Sequence, residues 1–176
     1  DVRLGEHNEL LVKSAGVMQG YWKNDEATAA AIDENGWLHT GDQAAIDEDG
    51  HIRITGRLKD IIVMANGEKV PPAAMESAVG LDPLVDQVMV LGEGEHQLAA
   101  LVVVEPEAFA ELMHEFDMDP EDPETLTDRF VERLVLKRVN GRLSDFPGYA
   151  QIRRVKILTQ PWTIEDGLMT PTQKLK

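Results

Sequence analysis

The sequence predicts an α+β protein, and three observations carry that prediction. The first third of the chain breaks into short apolar segments separated by turn dipeptides such as Asn35-Gly36 and Asp49-Gly50, which mark strands joined by hairpins. Two valine-rich runs, Val85 to Leu91 and Leu98 to Val104, read as strands, the second continuous enough to be buried on both faces. Helical periodicity begins at Pro72 and again at Pro106, where proline is tolerated because the first turn of a helix leaves its N–H groups unpaired.

Taken in order, Leu10 to Val12 is the first strand candidate, and Asn24 to Ile32 reads as a short helix with polar cap candidates before an alanine-rich run. Ala44 to Ile46 and His51 to Ile54 flank Asp49-Gly50 as a hairpin. After Gly56 strands and helices alternate. Ile61 to Met64 and Lys69-Val70 flank Asn66-Gly67, a helix covers Pro72 to Val79, and a Gly92/Gly94 turn joins the two valine-rich strands. In the helix from Pro106, residues Phe109, Leu112, Met113 and Phe116 recur at steps of three and four and are expected on one inward face. The next helix, after the Asp119 to Pro123 break, is expected to bury Leu126, Phe130, Leu134 and Val135 and to carry Arg129, Arg133, Lys137 and Arg138 elsewhere on its surface. Val155 to Leu158 is the last strand candidate.

Composition bounds the function. A chain of 176 residues, 43% hydrophobic and 28% charged, can bury a core as one ordinary domain or two small ones. Lysine and arginine total 17 against 32 acidic residues, a net charge of −15 that argues against a nucleic-acid backbone or an anionic membrane as main partner. No run of 18 apolar residues occurs, so no transmembrane segment is expected, and Asp1 to Gly5 lacks the apolar stretch of a signal peptide. A soluble, cytoplasmic protein is the expectation. The absence of cysteine excludes disulfides and thiolate catalysis, and none of the five histidines lies three or four residues from another, so no metal ligands are expected. Charge is segregated: residues 105–128 hold ten acids and no lysine or arginine, whereas 129–156 hold eight bases and two acids. The plain reading is two solvated helices attracting each other.

Two motifs fail on inspection. Gly92-Glu93-Gly94 opens like a dinucleotide fingerprint, but Gln97 stands where its last glycine belongs and a strand follows in place of a helix. Asp47-Glu48-Asp49-Gly50 resembles part of a calcium loop, yet Ala45 and Gly56 occupy its first and twelfth ligand positions, so a hairpin turn is the reading. No serine sits in a nucleophile elbow.

Three segments remain: Gly36-Trp37-Leu38-His39-Thr40-Gly41-Asp42, Gly56-Arg57-Leu58-Lys59-Asp60-Ile61-Ile62, and Leu168-Met169-Thr170-Pro171-Thr172-Gln173-Lys174-Leu175-Lys176. In this order and at these separations they resemble the adenylate-forming (AMP-binding) superfamily of acyl-CoA synthetases, peptide-synthetase adenylation domains and beetle luciferases. Gln160 to Gly167 and the two charged helices before it are most similar to the long-chain fatty acid CoA ligases within it.

The resemblance implies two-step chemistry. ATP and a fatty acid give an acyl-adenylate and pyrophosphate, and the thiol of coenzyme A then displaces AMP. Asp42 matches the aspartate that grips both ribose hydroxyls, a task suited to a carboxylate with two acceptor oxygens. Arg57 matches an arginine that contacts ribose or phosphate with a permanently charged fork of donors. Lys59 falls at the hinge about which a small C-terminal lid rotates between half-reactions. Gly67 and Val70 match the loop that lines the tunnel for the pantetheine arm of coenzyme A, though a tight hairpin accounts for Asn66-Gly67 equally well. Lys174 matches the lysine that enters the active site for adenylation, where an ammonium offsets charge gathering between carboxylate and α-phosphate. Gln173 departs from the pattern, since many relatives carry glycine there. For each charged residue the plain alternative is an ordinary turn, surface or tail side chain.

The implied architecture is a small β-rich N-terminal segment, residues 1–57, hinged to a C-terminal lid domain, residues 58–176, with a short sheet of about three strands plus a hairpin flanked by helices. The superfamily's phosphate loop, its magnesium-binding acid and its acyl pocket find no match in these 176 residues. The expectation is a C-terminal fragment of a long-chain fatty acid CoA ligase, inactive alone. Its partners would be the rest of the parent enzyme, fatty acid, ATP or AMP, and coenzyme A, with Mg2+ held mainly by the missing N-terminal part. The parent is expected in the cytoplasm, with peripheral membrane attachment left open. Two alternatives stay open: an adenylating domain that passes its acyl group to a carrier protein, and a non-catalytic α+β interaction module.

Overall fold

The computed structural model describes residues 1–170, and the chain divides into two compact units, Asp1–Ile61 and Ile62–Lys176. The first is a four-stranded antiparallel sheet in chain order, β1 (Val2–Leu4), β2 (Glu9–Val12), β3 (Leu38–Ile46) and β4 (Ile52–Arg57). A short helix, α1 (Asp25–Ala31), separates β2 from β3. It starts at Asn24, whose Oδ1 accepts from the Ala27 N–H at 3.0 Å, one of the first-turn donors that no helical carbonyl reaches. The β3–β4 hairpin turns at Asp47, whose carboxylate accepts from the N–H groups of Asp49 and His51.

Two irregularities in this sheet bracket residue 42. Between the pairs Leu11–His39 and Glu9–Gln43, β3 advances four residues while β2 advances two, so Thr40, Gly41 and Asp42 bulge from the ladder. Across the other edge the register shifts again between Gln43 and Ala44. Bulges of this kind bend a strand and re-aim its side chains.

The second unit opens with a hairpin of β5 (Ile62–Val63) and β6 (Lys69–Val70), followed by α2 (Pro72–Val79). A three-stranded sheet is built from β7 (Val85–Leu91), β8 (Leu98–Val104) and β9 (Ile152–Leu158), with β8 central, antiparallel to β7 and parallel to β9. The crossover from β8 to β9 carries α3 (Pro106–His114) and α4 (Arg129–Arg142). Met75, Val79, Leu98, Phe109, Met113 and Val135 are fully or almost fully enclosed and belong to one continuous core. Val102 and Val103 point to opposite faces of β8 and both are buried, as the unbroken apolar run of that strand predicts. Among the described residues no helix is long and apolar enough to cross a membrane.

The helices differ from expectation in three respects. Phe116 lies beyond the end of α3, is 41% exposed, and meets Phe130 edge-on with ring centroids 4.9 Å apart. The inward face of α4 is Val131, Val135 and Val139, continued by Leu143. Of the four residues expected there only Val135 is buried; Phe130 is 39% exposed, Leu134 is half-buried, and Leu126 sits in a separate 3-10 turn, Thr125–Thr127. Both sets keep a four-residue step, so periodicity cannot choose between them. The choice is made by Asp128, which caps the helix through the N–H groups of Phe130 and Val131, and by Asn140, whose side-chain amide pairs with both backbone groups of Ile152 on β9.

Third, two bases of α4 are committed to a buried partner and not to the acidic stretch before the helix. Asp82, 5% exposed, accepts from Arg138 through Nη2 at 2.8 Å and Nε at 3.1 Å, from Arg142 Nε at 3.3 Å and from the Leu84 N–H at 3.0 Å. Burial on its own pushes the Asp82 carboxyl upward, but the Arg138 guanidinium, the Leu84 amide and Arg142 outweigh it and hold the group below the ordinary aspartate range.

Candidate functional site

Asp42 and Arg57 stand directly opposite each other in the β3–β4 ladder. The Arg57 Nε donates to Asp42 Oδ1 at 3.1 Å, and both side chains remain partly open to solvent. Among the described residues Asp42 Oδ2 accepts no hydrogen bond and the two terminal nitrogens of Arg57 donate none. The pair therefore presents a free acceptor beside free donors, which suits a ligand carrying both hydroxyl and anionic groups.

The bulge that holds Asp42 is fixed by a residue that sequence reasoning missed. Glu9 on β2 accepts from the Gly41 N–H through Oε1 at 3.0 Å and meets His39 Nδ1 through Oε2 at 2.8 Å. Thr40 completes the arrangement by donating to the Leu10 carbonyl at 2.7 Å while its hydroxyl oxygen accepts from the Asp42 N–H. Glu9 lies some thirty residues before its partners, so no local pattern reveals it.

Lys59 is exposed in a 3-10 turn, Leu58–Asp60, that follows β4, and the second compact unit begins three residues later at Ile62. Gly67 closes the β5–β6 turn with φ of +83° and open space where a Cβ would be. That left-handed geometry explains a glycine at this position without reference to any ligand. Val70 pairs with Ile62 across the hairpin and its side chain is wholly enclosed in the core, so it anchors the turn and presents no side chain to solvent.

Beyond β9, the segment around Trp162 to Met169 is held to β7 by Gln87 and closed on itself by Asp166, whose carboxylate accepts from the N–H groups of Leu168 and Thr163. The Leu168 amide is the main reason that the Asp166 carboxyl lies below its ordinary range. Lys174 lies outside the described residues. Among the described residues one group of three side chains has metal-ligand spacing, Asp47, Asp49 and His51, all exposed at the β3–β4 turn. The Asp47 carboxylate there is occupied by the turn's own N–H groups and by the His51 ring.

The family model for the AMP-binding enzyme C-terminal domain matches residues 59–166. The long-chain-fatty-acid–CoA ligase FadD15 of Mycobacterium tuberculosis is 36% identical over 183 aligned residues, covering 99% of this chain and 29% of the ligase. The peroxisomal acyl-CoA ligase 891 of Penicillium roqueforti is also 36% identical, over 96% of this chain and 25% of its own length. The adenylation domain of the carboxylic acid reductase of Segniliparus rugosus, solved with AMP and a co-purified carboxylic acid, superposes with a TM-score of 0.77 at 29% identity, over 96% of this chain and 25% of that one. This chain thus spans between a quarter and a third of the relatives it matches. The family model covers more than half of the chain, which therefore belongs to the AMP-binding enzyme family and contains its C-terminal domain.

Proposed function

We propose that the chain is the C-terminal part of a long-chain fatty acid CoA ligase, comprising the end of its large N-terminal domain and the C-terminal lid. In the first half-reaction a carboxylate oxygen of the fatty acid attacks the α-phosphorus of ATP and pyrophosphate leaves. In the second the sulfur of coenzyme A attacks the acyl carbonyl, AMP leaves, and the thiol proton is released. The observation that carries the reading is the opposed pair Asp42–Arg57, with its free acceptor and free donors side by side.

In this reading Asp42 holds the ribose diol and Arg57 a ribose or phosphate oxygen, while Lys59 is the pivot between the units. The turn at Gly67, anchored by Val70, lines the path of the coenzyme A thiol, and Lys174 stabilises the adenylation transition state. Mg2+ would enter with the nucleotide and be held mainly by the upstream part. The long-chain preference draws its support from the name of the Mycobacterium ligase.

The test compares this chain with the parent protein. The isolated chain should form no acyl-CoA from ATP, fatty acid and coenzyme A. In the parent, Lys174→Ala should lower fatty-acid-dependent pyrophosphate release about 100-fold or more, in the range seen when a preorganised charge is removed from a transition state. Asp42→Ala should raise the KM for ATP about tenfold or more, as loss of a charge-assisted contact requires. Acyl-CoA formation by the isolated chain, or unchanged pyrophosphate release in Lys174→Ala, overturns the proposal. A carrier-protein acceptor is a second reading, favoured by the likeness to a carboxylic acid reductase solved as an adenylation–carrier didomain. Transfer to a phosphopantetheinyl carrier in preference to coenzyme A would select it.

A further inference from the structure

The Gly92–Glu95 turn, left over when the dinucleotide fingerprint fails, lies against the β5–β6 hairpin. A two-residue strand has little stability of its own, and an isolated two-stranded hairpin is marginal in water. One edge of β5 is paired with β6: Met64 donates to the Glu68 carbonyl and accepts from the Gly67 N–H. Among the described residues no strand lies beside the opposite edge. Its backbone groups are met by the turn, with Glu93 Oε2 accepting from the Val63 N–H at 2.8 Å, Gly94 N–H donating to the Val63 carbonyl at 2.8 Å, and the Glu95 carbonyl accepting from the Ala65 N–H at 2.9 Å. The side chain of Glu93 thus occupies the place of a strand carbonyl. A Cβ on Gly92 would come within 2.5 Å of Leu98 Cδ2, so a larger residue there would push the buried Leu98 side chain aside.

We infer that Glu93 is a positioning residue for the acyl-acceptor step: its carboxylate fixes the β5–β6 hairpin, and with it the Ala65–Gly67 tip, against the β7–β8 turn. The inference rests on the reading that this tip lines the thiol path. Ala65, held by Glu95, directly precedes Asn66-Gly67, so rotation of the hairpin about its short strands displaces the tip first. Glu93 acts through the backbone of Val63 and needs an acceptor atom, not a charge.

Two measurements test it. In the purified chain, Glu93→Ala should speed amide hydrogen exchange at Val63 about tenfold, whereas Glu93→Gln, which keeps a neutral acceptor, should stay within about threefold of the original protein. In the parent enzyme, acyl transfer to coenzyme A from preformed acyl-adenylate is compared with adenylation. Glu93→Ala should lower the ratio of the two rates about tenfold and raise the KM for coenzyme A, and Glu93→Gln should restore both, as misplacement of an otherwise intact site requires. Gly67→Trp, which places bulk at the tip, is the reference. If Gly67→Trp blocks transfer while Glu93→Ala leaves the ratio unchanged, or if Val63 exchange does not respond, the inference is overturned and the thiol-path reading stands. If Gly67→Trp also leaves transfer unchanged, the thiol-path reading falls and takes the inference with it.

Discussion

The side-chain amide of Gln87 is hydrogen-bonded twice to the backbone of Trp162, donating from Nε2 to the carbonyl at 3.1 Å and accepting at Oε1 from the amide at 2.6 Å. Gln87 lies on β7 across from Val103, so its amide works as one extra rung that extends the sheet to a strandless segment. Gln87→Leu leaves both backbone groups of Trp162 without their partner and should lower unfolding free energy by about 1–3 kcal/mol. Urea titration of the chain, with amide exchange at Trp162 as local readout, checks this. Gln87→Glu, which accepts but cannot donate, should fall between the two.

Asp82 holds two guanidiniums and a backbone amide from an almost fully enclosed position. Removing one side of such a pair leaves the other uncompensated, so Asp82→Ala should destabilise the second unit by about 3 kcal/mol. The guanidiniums are themselves partly exposed and can turn to water, so Arg142→Ala should cost less than half as much. Thermal unfolding of both variants decides the order.

The same residue makes stability depend on pH. Its folded-state pKa lies below the ordinary aspartate value, which is about 3.9 in an unfolded chain. A depressed pKa contributes stability that is fully present above the unfolded value and disappears as pH falls through the folded one. The stability gap between the original protein and Asp82→Asn should therefore be constant from about pH 7 to pH 5 and should narrow below about pH 4. A gap that widens in acid contradicts the assignment.

Two phenylalanines at successive helices separate core from surface. Phe109 is 2% exposed at the centre of the second unit, whereas Phe130 is 39% exposed and touches Phe116 edge-on. Phe109→Ala should cost about 3–5 kcal/mol, the usual result of emptying a packed aromatic site. Phe130→Ala should cost no more than about 1.5 kcal/mol, the value of one aromatic pair. Equal losses, measured by urea unfolding, would return Phe130 to the core where its spacing suggested it belonged.

The contrast shows what the sequence makes legible. Elements with a local cause are readable: α1 from the polar cap candidates before its alanine run, α2 and α3 from Pro72 and Pro106, the hairpin turns from Asp49-Gly50 and Asn66-Gly67, and β7 and β8 from their valines. The family resemblance singles out Asp42 and Arg57, and the structure sets them opposite each other once β3 and β4 pair. What escapes is set by residues distant in the chain. Glu9 braces the bulge at Gly41, Asp82 collects Arg138 and Arg142, and Asn140 fixes which stripe of α4 faces β9. None of these contacts leaves a trace within a helical or strand window, because a carboxylate or amide needs only one correctly placed partner and not a period.

The parallel pairing of β8 with β9 has a consequence for how the chain is made. The central strand of that sheet has one edge waiting until residues from Ile152 onward arrive, and two helices must be threaded between. During synthesis the ribosome thus releases β7, β8, α3 and α4 before the sheet can close, and a two-stranded precursor is too small to persist on its own. A nonsense codon between Val104 and Ile152 should leave the second unit as an aggregation-prone segment and not as a shortened but folded domain.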